Sequence, residues 1–128
     1  MIDSERLARR WFSLVERRAF EQLGEIVHPS LVLVSKVRPG LVVEGKEAFV
    51  RYVEETLVHT LHEAAASSYR PLDEQRIVVE GRIRWMDDDH VLRDDPVTWA
   101  MSFEDGLLTR FVSVRSVVEA EAMLARRS

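Results

Sequence analysis

The side chains best suited to acid–base chemistry in this 128-residue sequence are histidines and aspartates. His59 and His62 form an H-x-x-H pair, which would share one face of a helix but take opposite faces of a strand. No third ligand follows at a spacing typical of zinc sites, so we expect no metal centre. The candidates for a catalytic acid or base are His28, His59 and Asp94, although the position of His28 at a predicted helix end favours a capping role over a catalytic one.

Other reactive groups are missing from the sequence or poorly arranged in it. The chain contains no cysteine, which excludes disulfide bonds, thiolate zinc sites and a cysteine nucleophile. The acidic run from Asp87 to Asp89 lacks the glycine and the distal glutamate of an EF-hand loop, so we predict an exposed turn between strands there. The sequence therefore predicts no cofactor and no metal ion.

Charge and hydropathy limit the partners of the chain. Acidic and basic residues are interleaved, the formal net charge is −4, and no polybasic block of the kind that binds a phosphate backbone is present. No apolar run approaches the roughly 20 residues of a membrane span, and the first residues lack the apolar centre of a signal peptide. We therefore expect neither nucleic acid nor a membrane as a partner, and a cytoplasmic location.

Four segments have the apolar spacing of helices. The first predicted helix spans residues 4–18. A second, shorter helix is predicted over 20–27 and ends before Pro29, because the residue that precedes a proline is pushed out of the helical region. The third spans 44–57, after a turn at Arg38, Pro39 and Gly40, and the fourth spans 117–127.

Between and after these helices the apolar residues alternate with polar ones, which is typical of strands. The clearest case is 77–86, where one face is apolar and the other mostly polar. Glu104, Asp105 and Gly106 predict a tight hairpin. The predicted strands are 31–34, 59–70, 77–86, 97–103 and 107–114. Helices followed by a run of antiparallel strands predict a single α+β domain over residues 1–128, with the helices on one face of the sheet.

The order of elements, with RRWFSLVERRAFEQLGEIVHPSLVLVS leading to GLVVEGKEAFVRYVEETL, resembles the SnoaL-like branch of the nuclear transport factor two-like superfamily, which includes ketosteroid isomerase-like domains. This resemblance implies a cone-like, strongly curved mixed or antiparallel sheet. Three helices from the N-terminal half of the chain would cover its concave face, and a short helix would follow at the C-terminus. A ligand would sit inside the cone.

The same resemblance suggests that the isomerase chemistry is absent. Trp11 matches the position of the tyrosine that stabilises the oxyanion, Ser35 matches the general-base aspartate, and Trp99 matches the second acid of the oxyanion hole. An indole donates one hydrogen bond but does not titrate, and a serine without a neighbouring base does not abstract a proton from carbon. We therefore do not expect ketosteroid isomerase activity.

Large side chains replace those polar groups and would narrow the cone, with Trp85 and Phe103 adding to the aromatic surface. We predict that the protein binds a small hydrophobic molecule. The predicted ligand contacts are Trp11, Ser35, Tyr52, Trp99, Met101 and Val114. Two alternatives stay open. One is an enzyme of the same fold, of the lyase, isomerase, polyketide cyclase or epoxide hydrolase type, that uses His28, His59 or Asp94; the other is a structural association module.

The polar face of the strand at 77–86 carries Glu80, Arg82 and Arg84. On this fold the outer face of the sheet commonly forms a two-fold interface, so we expect a homodimer through this face. A catalytic arginine–glutamate pair is the alternative interpretation of the same residues.

Overall fold

The computed structural model describes residues 2–35 and 41–126, so the turn predicted at 38–40 lies outside the described residues. The helices are α1 (Asp3–Glu16), α2 (Phe20–Glu25), α3 (Lys46–Glu55) and α4 (Val117–Ala125), with a 3₁₀ turn at Leu57–His59. The strands are β1 (Val27–Val34), β2 (Val42–Glu44), β3 (His62–Pro71), β4 (Arg76–Met86), β5 (Leu92–Glu104) and β6 (Leu107–Val114).

The six strands form one mixed sheet in the order β2-β1-β6-β5-β4-β3. Only β1 and β6 are parallel among the described strands, and every other neighbouring pair is antiparallel. Helix α1 packs on β3, β4 and β5, and α3 packs on β1, whereas α4 packs on β4, β5 and β6. The predicted α+β class, the curved mixed sheet and the placement of the helices are confirmed.

Side chains along β4 and β5 point alternately to the two faces of the sheet, and each face has its own core. Ile77 pairs with Met101 and Val79 pairs with Trp99, and all four side chains belong to the large core beneath α1, α2 and α3. Their neighbours Val78 and Ala100 point to the other face, where they form a small separate core with Ala120 and Leu124 of α4. Ser116 begins α4 by accepting a hydrogen bond from the Glu119 backbone N–H at 3.1 Å.

A bulge in β3 lies opposite the glycine of β4. Ala66 pairs with Gly81 and Ser68 pairs with Glu80, so Ser67 is the extra residue, and its hydroxyl donates to the Glu80 carbonyl at 3.1 Å. The extra residue increases the local twist and bends the strand. At this point the backbones of β3 and β4 approach so closely that Gly81 has no space for a side chain.

Two predicted boundaries near the start of the sheet are wrong. α2 ends at Glu25 rather than continuing to Val27, because Val27 already pairs with Leu108 of β6. Pro29 lies inside β1 instead of preceding it. The strand tolerates this proline because the pairing between β1 and β6 is irregular between Val27 and Val32, where no ladder N–H is needed. Strand β2 has no counterpart among the sequence predictions.

The outer face of the sheet is partly covered by α4 and partly charged. Glu80, Arg82 and Arg84 all point outward, and each pairs with a charge of a neighbouring strand of the same chain. The nitrogen–oxygen distances are 3.2 Å for Arg70–Glu80, 2.9 Å for Arg82–Asp94 and 3.9 Å for Arg84–Glu63. These pairs are exposed, so each contributes at most about 1 kcal/mol to stability. They lie across the sheet from the cone interior, which places the arginine–glutamate set away from any pocket in the cone.

Candidate functional site

The concave face of the sheet and the three covering helices line a partly open cavity of about 70 Å³. Its wall is mostly aromatic and aliphatic because the apolar stripe of each helix and the apolar face of each strand converge there. Trp11 and Phe12 come from α1, Phe49 from α3, Trp99 from β5 and Phe111 from β6.

These aromatic rings contact one another rather than standing apart. The ring centroids of Phe12 and Trp99 are 4.8 Å apart, those of Trp11 and Phe111 are 5.4 Å apart, and those of Trp99 and Phe111 are 5.8 Å apart. Separations of this size are typical of favourable aromatic pairs. The cluster therefore both stabilises the fold and reduces the volume of the cone.

Trp11, one of the wall residues, carries an unused hydrogen-bond donor. The side chain is only 3% exposed, and its Nε1 is the one buried side-chain nitrogen or oxygen in residues 2–35 and 41–126 with no hydrogen-bond partner. A buried donor without a partner costs about 1 to 3 kcal/mol, which a ligand acceptor could recover. The position that the resemblance assigned to an oxyanion donor thus carries a donor here as well.

Four further side chains bring polar atoms to the wall: Ser35, Tyr52, His62 and Ser113. Burial lowers the pKa of His62, because the protein solvates the imidazolium poorly, and the charge of Arg18 lowers it further. A hydrogen bond with its own backbone opposes these effects. His62 is therefore a neutral imidazole at pH 7. It is also the only histidine, aspartate or glutamate in the described part of the wall.

The structure brings together four of the six predicted ligand contacts. Trp11, Ser35, Tyr52 and Trp99 all line the cavity. Met101 is fully buried in the same core and is not among the residues that line the cavity, so this predicted contact is wrong.

Val114 lies on the opposite face of the sheet, so its predicted orientation is wrong. Regular alternation from the core residue Leu108 would turn Val114 inward. Thr109, however, is an extra residue, because Ser102 pairs with Arg110 whereas Phe103 pairs with Leu108. This bulge reverses every later residue of β6. Val114 packs against the α4 core instead, and its neighbour Ser113 lines the cavity.

The three predicted acid–base candidates all lie away from the cavity wall. His28 lies within β1, and its Nδ1 accepts a hydrogen bond from the Ser30 backbone N–H at 3.0 Å. His59 is exposed at the end of the 3₁₀ turn. Asp94 is exposed on the outer face, where it pairs with Arg82. None of the three is positioned to act on a molecule in the cone.

Sequence reasoning missed His62, Phe111 and Ser113 as wall residues. In the sequence His62 stands out only as the partner of His59 in an H-x-x-H pair, yet the two residues belong to different elements, and no group of three or more metal-binding side chains occurs in the described chain. Trp85, predicted to narrow the cone, lies at its rim, where its indole donates to Asp95 Oδ2 at 3.2 Å. Phe103 is buried in the core and does not line the cavity.

Two open grooves meet the rim of the cavity at His62. One runs between the end of α1 and the edge strand β3, and it shares Val15, His62 and Ala64 with the cavity. The other lies between the 3₁₀ turn and the acidic turn that joins β4 to β5.

In residues 2–35 and 41–126 no helix is long and apolar enough to cross a membrane.

No protein-family model matches this sequence, and neither does any curated protein. Solved structures do match it closely in shape. Rv0760c from Mycobacterium tuberculosis, crystallised with estradiol-17β-hemisuccinate, has a TM-score of 0.76 at 13% identity over 92% of this chain and 97% of that one. Delta 5-3-ketosteroid isomerase from Mycobacterium sp. has a TM-score of 0.74 at 12% identity over 94% and 97%.

A protein of unknown function from Burkholderia pseudomallei, described as similar to nuclear transport factor two, is a third match. Its TM-score is 0.74 at 16% identity over 98% of this chain and all of that one. Identities this low carry the fold but not the activity. The chain has the nuclear transport factor two-like fold that the order of its elements predicted.

Proposed function

We propose that this protein binds a small hydrophobic molecule that carries a hydrogen-bond acceptor. The observation that supports this function best is that Trp11, one of the residues that line a mostly apolar cavity, has a buried Nε1 with no hydrogen-bond partner. Apolar surface supplies affinity to such a ligand, and a few fixed polar atoms orient it. Proteins of similar fold bind hydrophobic molecules: the Mycobacterium tuberculosis structure holds a steroid ester, and a designed binder of 17-OHP has a TM-score of 0.76.

The size of the cavity restricts the ligand. An engineered apolar cavity of roughly 150 Å³ accepts benzene, whereas this one measures about 70 Å³. A rigid steroid would require large movements of Trp99 and Phe111. We therefore propose a ligand with a small or slender apolar group, part of which extends past the rim into a groove.

Replacing Trp11 with phenylalanine tests this function. The change keeps an aromatic ring but removes the N–H. We expect diethyl ketone, which has a slender chain and a carbonyl acceptor, to bind the wild-type protein, and Trp11→Phe to weaken that binding about fivefold because one hydrogen bond is lost. Pentane, which lacks the acceptor, should bind both proteins equally. Titration calorimetry measures both affinities, and absence of diethyl ketone binding to the wild type would overturn the proposal.

An enzyme of the same fold is the second candidate, and His62 is the observation that favours it. A neutral imidazole on the wall of an apolar cavity is suited to act as a general base. In this hypothesis His62 takes the role that the sequence analysis assigned to His28, His59 or Asp94. The lyase, isomerase, polyketide cyclase and epoxide hydrolase types all remain compatible with a single base of this kind.

The lowered pKa of His62 makes a prediction about stability. The unfolded chain binds a proton below the ordinary histidine pKa of 6.5, whereas the folded chain binds it only at lower pH. The free energy of unfolding should therefore be at its full value above about pH 6.5 and fall as the pH drops towards the folded pKa. Urea denaturation between pH 7.5 and 5.5 measures this loss. His62→Gln should reduce it, and the exposed control His59→Gln should not; parallel profiles for all three proteins would contradict the prediction.

We also propose a homodimer through the part of the outer face that α4 leaves uncovered. Met86 and Leu92 pair there at the end of β4 and β5, and their side chains are 42% and 48% exposed. Burial of this apolar pair beside the charged rows would supply part of an isologous interface. Sedimentation velocity decides the question, and a single species at the 14.8 kDa mass of one chain would exclude the dimer.

A further inference from the structure

Arg18 lies where a ligand in the cavity would extend past the rim. It lines the groove that runs between α1 and β3, and this groove shares His62 with the cavity. The Arg18 guanidinium lies over the ring of Phe20, with its carbon 4.9 Å from the ring centroid, and Phe20 is itself part of the cavity wall. A single aromatic ring therefore separates the cation from the apolar interior.

The backbone holds Arg18 in this place. The residue follows the end of α1 with a positive φ of 55°, and its Nη2 donates to the Leu57 carbonyl at 3.0 Å. The guanidinium is thus anchored by a neutral carbonyl and an aromatic face. Within the described chain it forms no ion pair with a carboxylate within 4.0 Å, unlike Arg82 and Arg84 in the same groove. Of the five donor N–H groups of an arginine, most stay available to a ligand.

The remaining charges indicate which groove an anion would enter. In the groove beside α1, Asp94 and Glu63 are paired with arginines, and only the exposed Glu16 carries a separate negative charge. The second groove at His62 is lined by Asp87, Asp88 and Asp89. Like charges repel, so an anion beside His62 is disfavoured on that side and favoured beside Arg18.

We propose that the ligand is an apolar monocarboxylate, with its tail in the cavity and its carboxylate between Arg18 and His62 at the rim. This inference rests on the proposed function and names the chemical class of the ligand. Arginine binds carboxylates through two parallel hydrogen bonds. The one N–H of a neutral imidazole is already engaged with the backbone of His62, so Arg18 supplies the hydrogen bonds to the carboxylate. The carboxylate stays in water-accessible surroundings, which avoids the cost of burying its charge.

Pentanoate and pentanamide form a matched pair for the test, because they share a slender apolar tail and differ little in shape but one is charged and the other neutral. We expect the wild-type protein to bind pentanoate about tenfold more tightly than pentanamide at low salt, the size of one charge-assisted contact. Arg18→Gln should bring the two affinities to within about twofold of each other while the affinity for the amide stays unchanged, which also shows that the cavity is intact. Added salt should lower the preference of the wild type, because the contact is exposed.

Two further variants separate a specific contact from general charge. Arg17→Gln removes the same charge one residue earlier, from a side chain that does not line the groove, and should retain the preference. Arg18→Lys should retain more of it than Arg18→Gln does. The inference is overturned if Arg18→Gln keeps the wild-type preference, or if the wild type binds acid and amide equally at low salt. If pentanoate, pentanamide and diethyl ketone all fail to bind, the proposed function fails together with this inference. If Arg18→Gln no longer binds the amide, its cavity is damaged and two other measurements decide. Arg18→Lys should still prefer the acid to the amide, and added salt should lower that preference in the wild type; absence of both effects overturns the inference.

Discussion

Replacing Trp99 with alanine should lower the free energy of unfolding by about 3 to 5 kcal/mol, as large-to-small changes in a packed core do. Trp99 is 3% exposed, and its ring contacts Phe12 and Phe111. Truncation removes the apolar contacts of a whole indole and leaves a void in the middle of the cone. Urea denaturation monitored by far-ultraviolet circular dichroism measures the loss without relying on tryptophan fluorescence.

The control for this variant is Trp85→Ala. Trp85 belongs to the same face of the sheet but is only partly buried at the rim, and its main polar contact is the bond to Asp95. Trp85→Ala should lower the free energy of unfolding by less than half as much as Trp99→Ala does. Equal effects of the two changes would mean that the cone does not close around Trp99.

The void left by Trp99→Ala has a second measurable consequence. An enlarged apolar cavity should bind indole or benzene, and binding to the folded state alone raises the midpoint of thermal unfolding. We expect either compound to raise the midpoint of Trp99→Ala more than that of the wild type, whose cavity measures about 70 Å³. A variant that is destabilised but gains no such response would have collapsed around the missing ring.

Local patterns predicted most of the fold because each element has one buried face. Leu7, Trp11 and Leu14 define the buried stripe of α1, and the alternation from Ile77 to Trp85 defines the inner face of β4. Such periodic patterns depend on residues a few positions apart, so a single sequence contains them completely. The order of the elements then restricted the topology to a sheet with helices gathered on one side.

The wall of the cavity was harder to predict, because it depends on register between distant segments. One extra residue in β6 exchanges Val114 for Ser113 on the inner face, and nothing in the local alternation marks Thr109 as that residue. His62 reaches the wall because β3 begins there and pairs His62 with Trp85 of β4. The short strand β2 exists only as a partner of β1, so its three residues carry too little pattern of their own.

Gly81→Ala should be the most damaging small substitution in the sheet. A Cβ at this position would lie 2.1 Å from the carbonyl oxygen of Ala65, a backbone atom that is held in the ladder between β3 and β4. Relief of that overlap requires the two strands to separate beside the Ser67 bulge, so the cost should exceed the roughly 1 to 3 kcal/mol typical of overpacked cores.

Gly24→Ala is the matched control for Gly81→Ala, because it adds the same methyl group within α2. There the nearest atom to the new Cβ is Val50 Cγ2 at 3.8 Å, an ordinary contact, and alanine favours a helix over glycine by roughly 1 kcal/mol. We therefore expect Gly24→Ala to be neutral or slightly stabilising while Gly81→Ala unfolds at much lower urea concentration. If Gly81→Ala were as stable as the control, β3 and β4 could not approach as closely as the curvature of the cone requires, and the cavity built on that curvature would have a different shape.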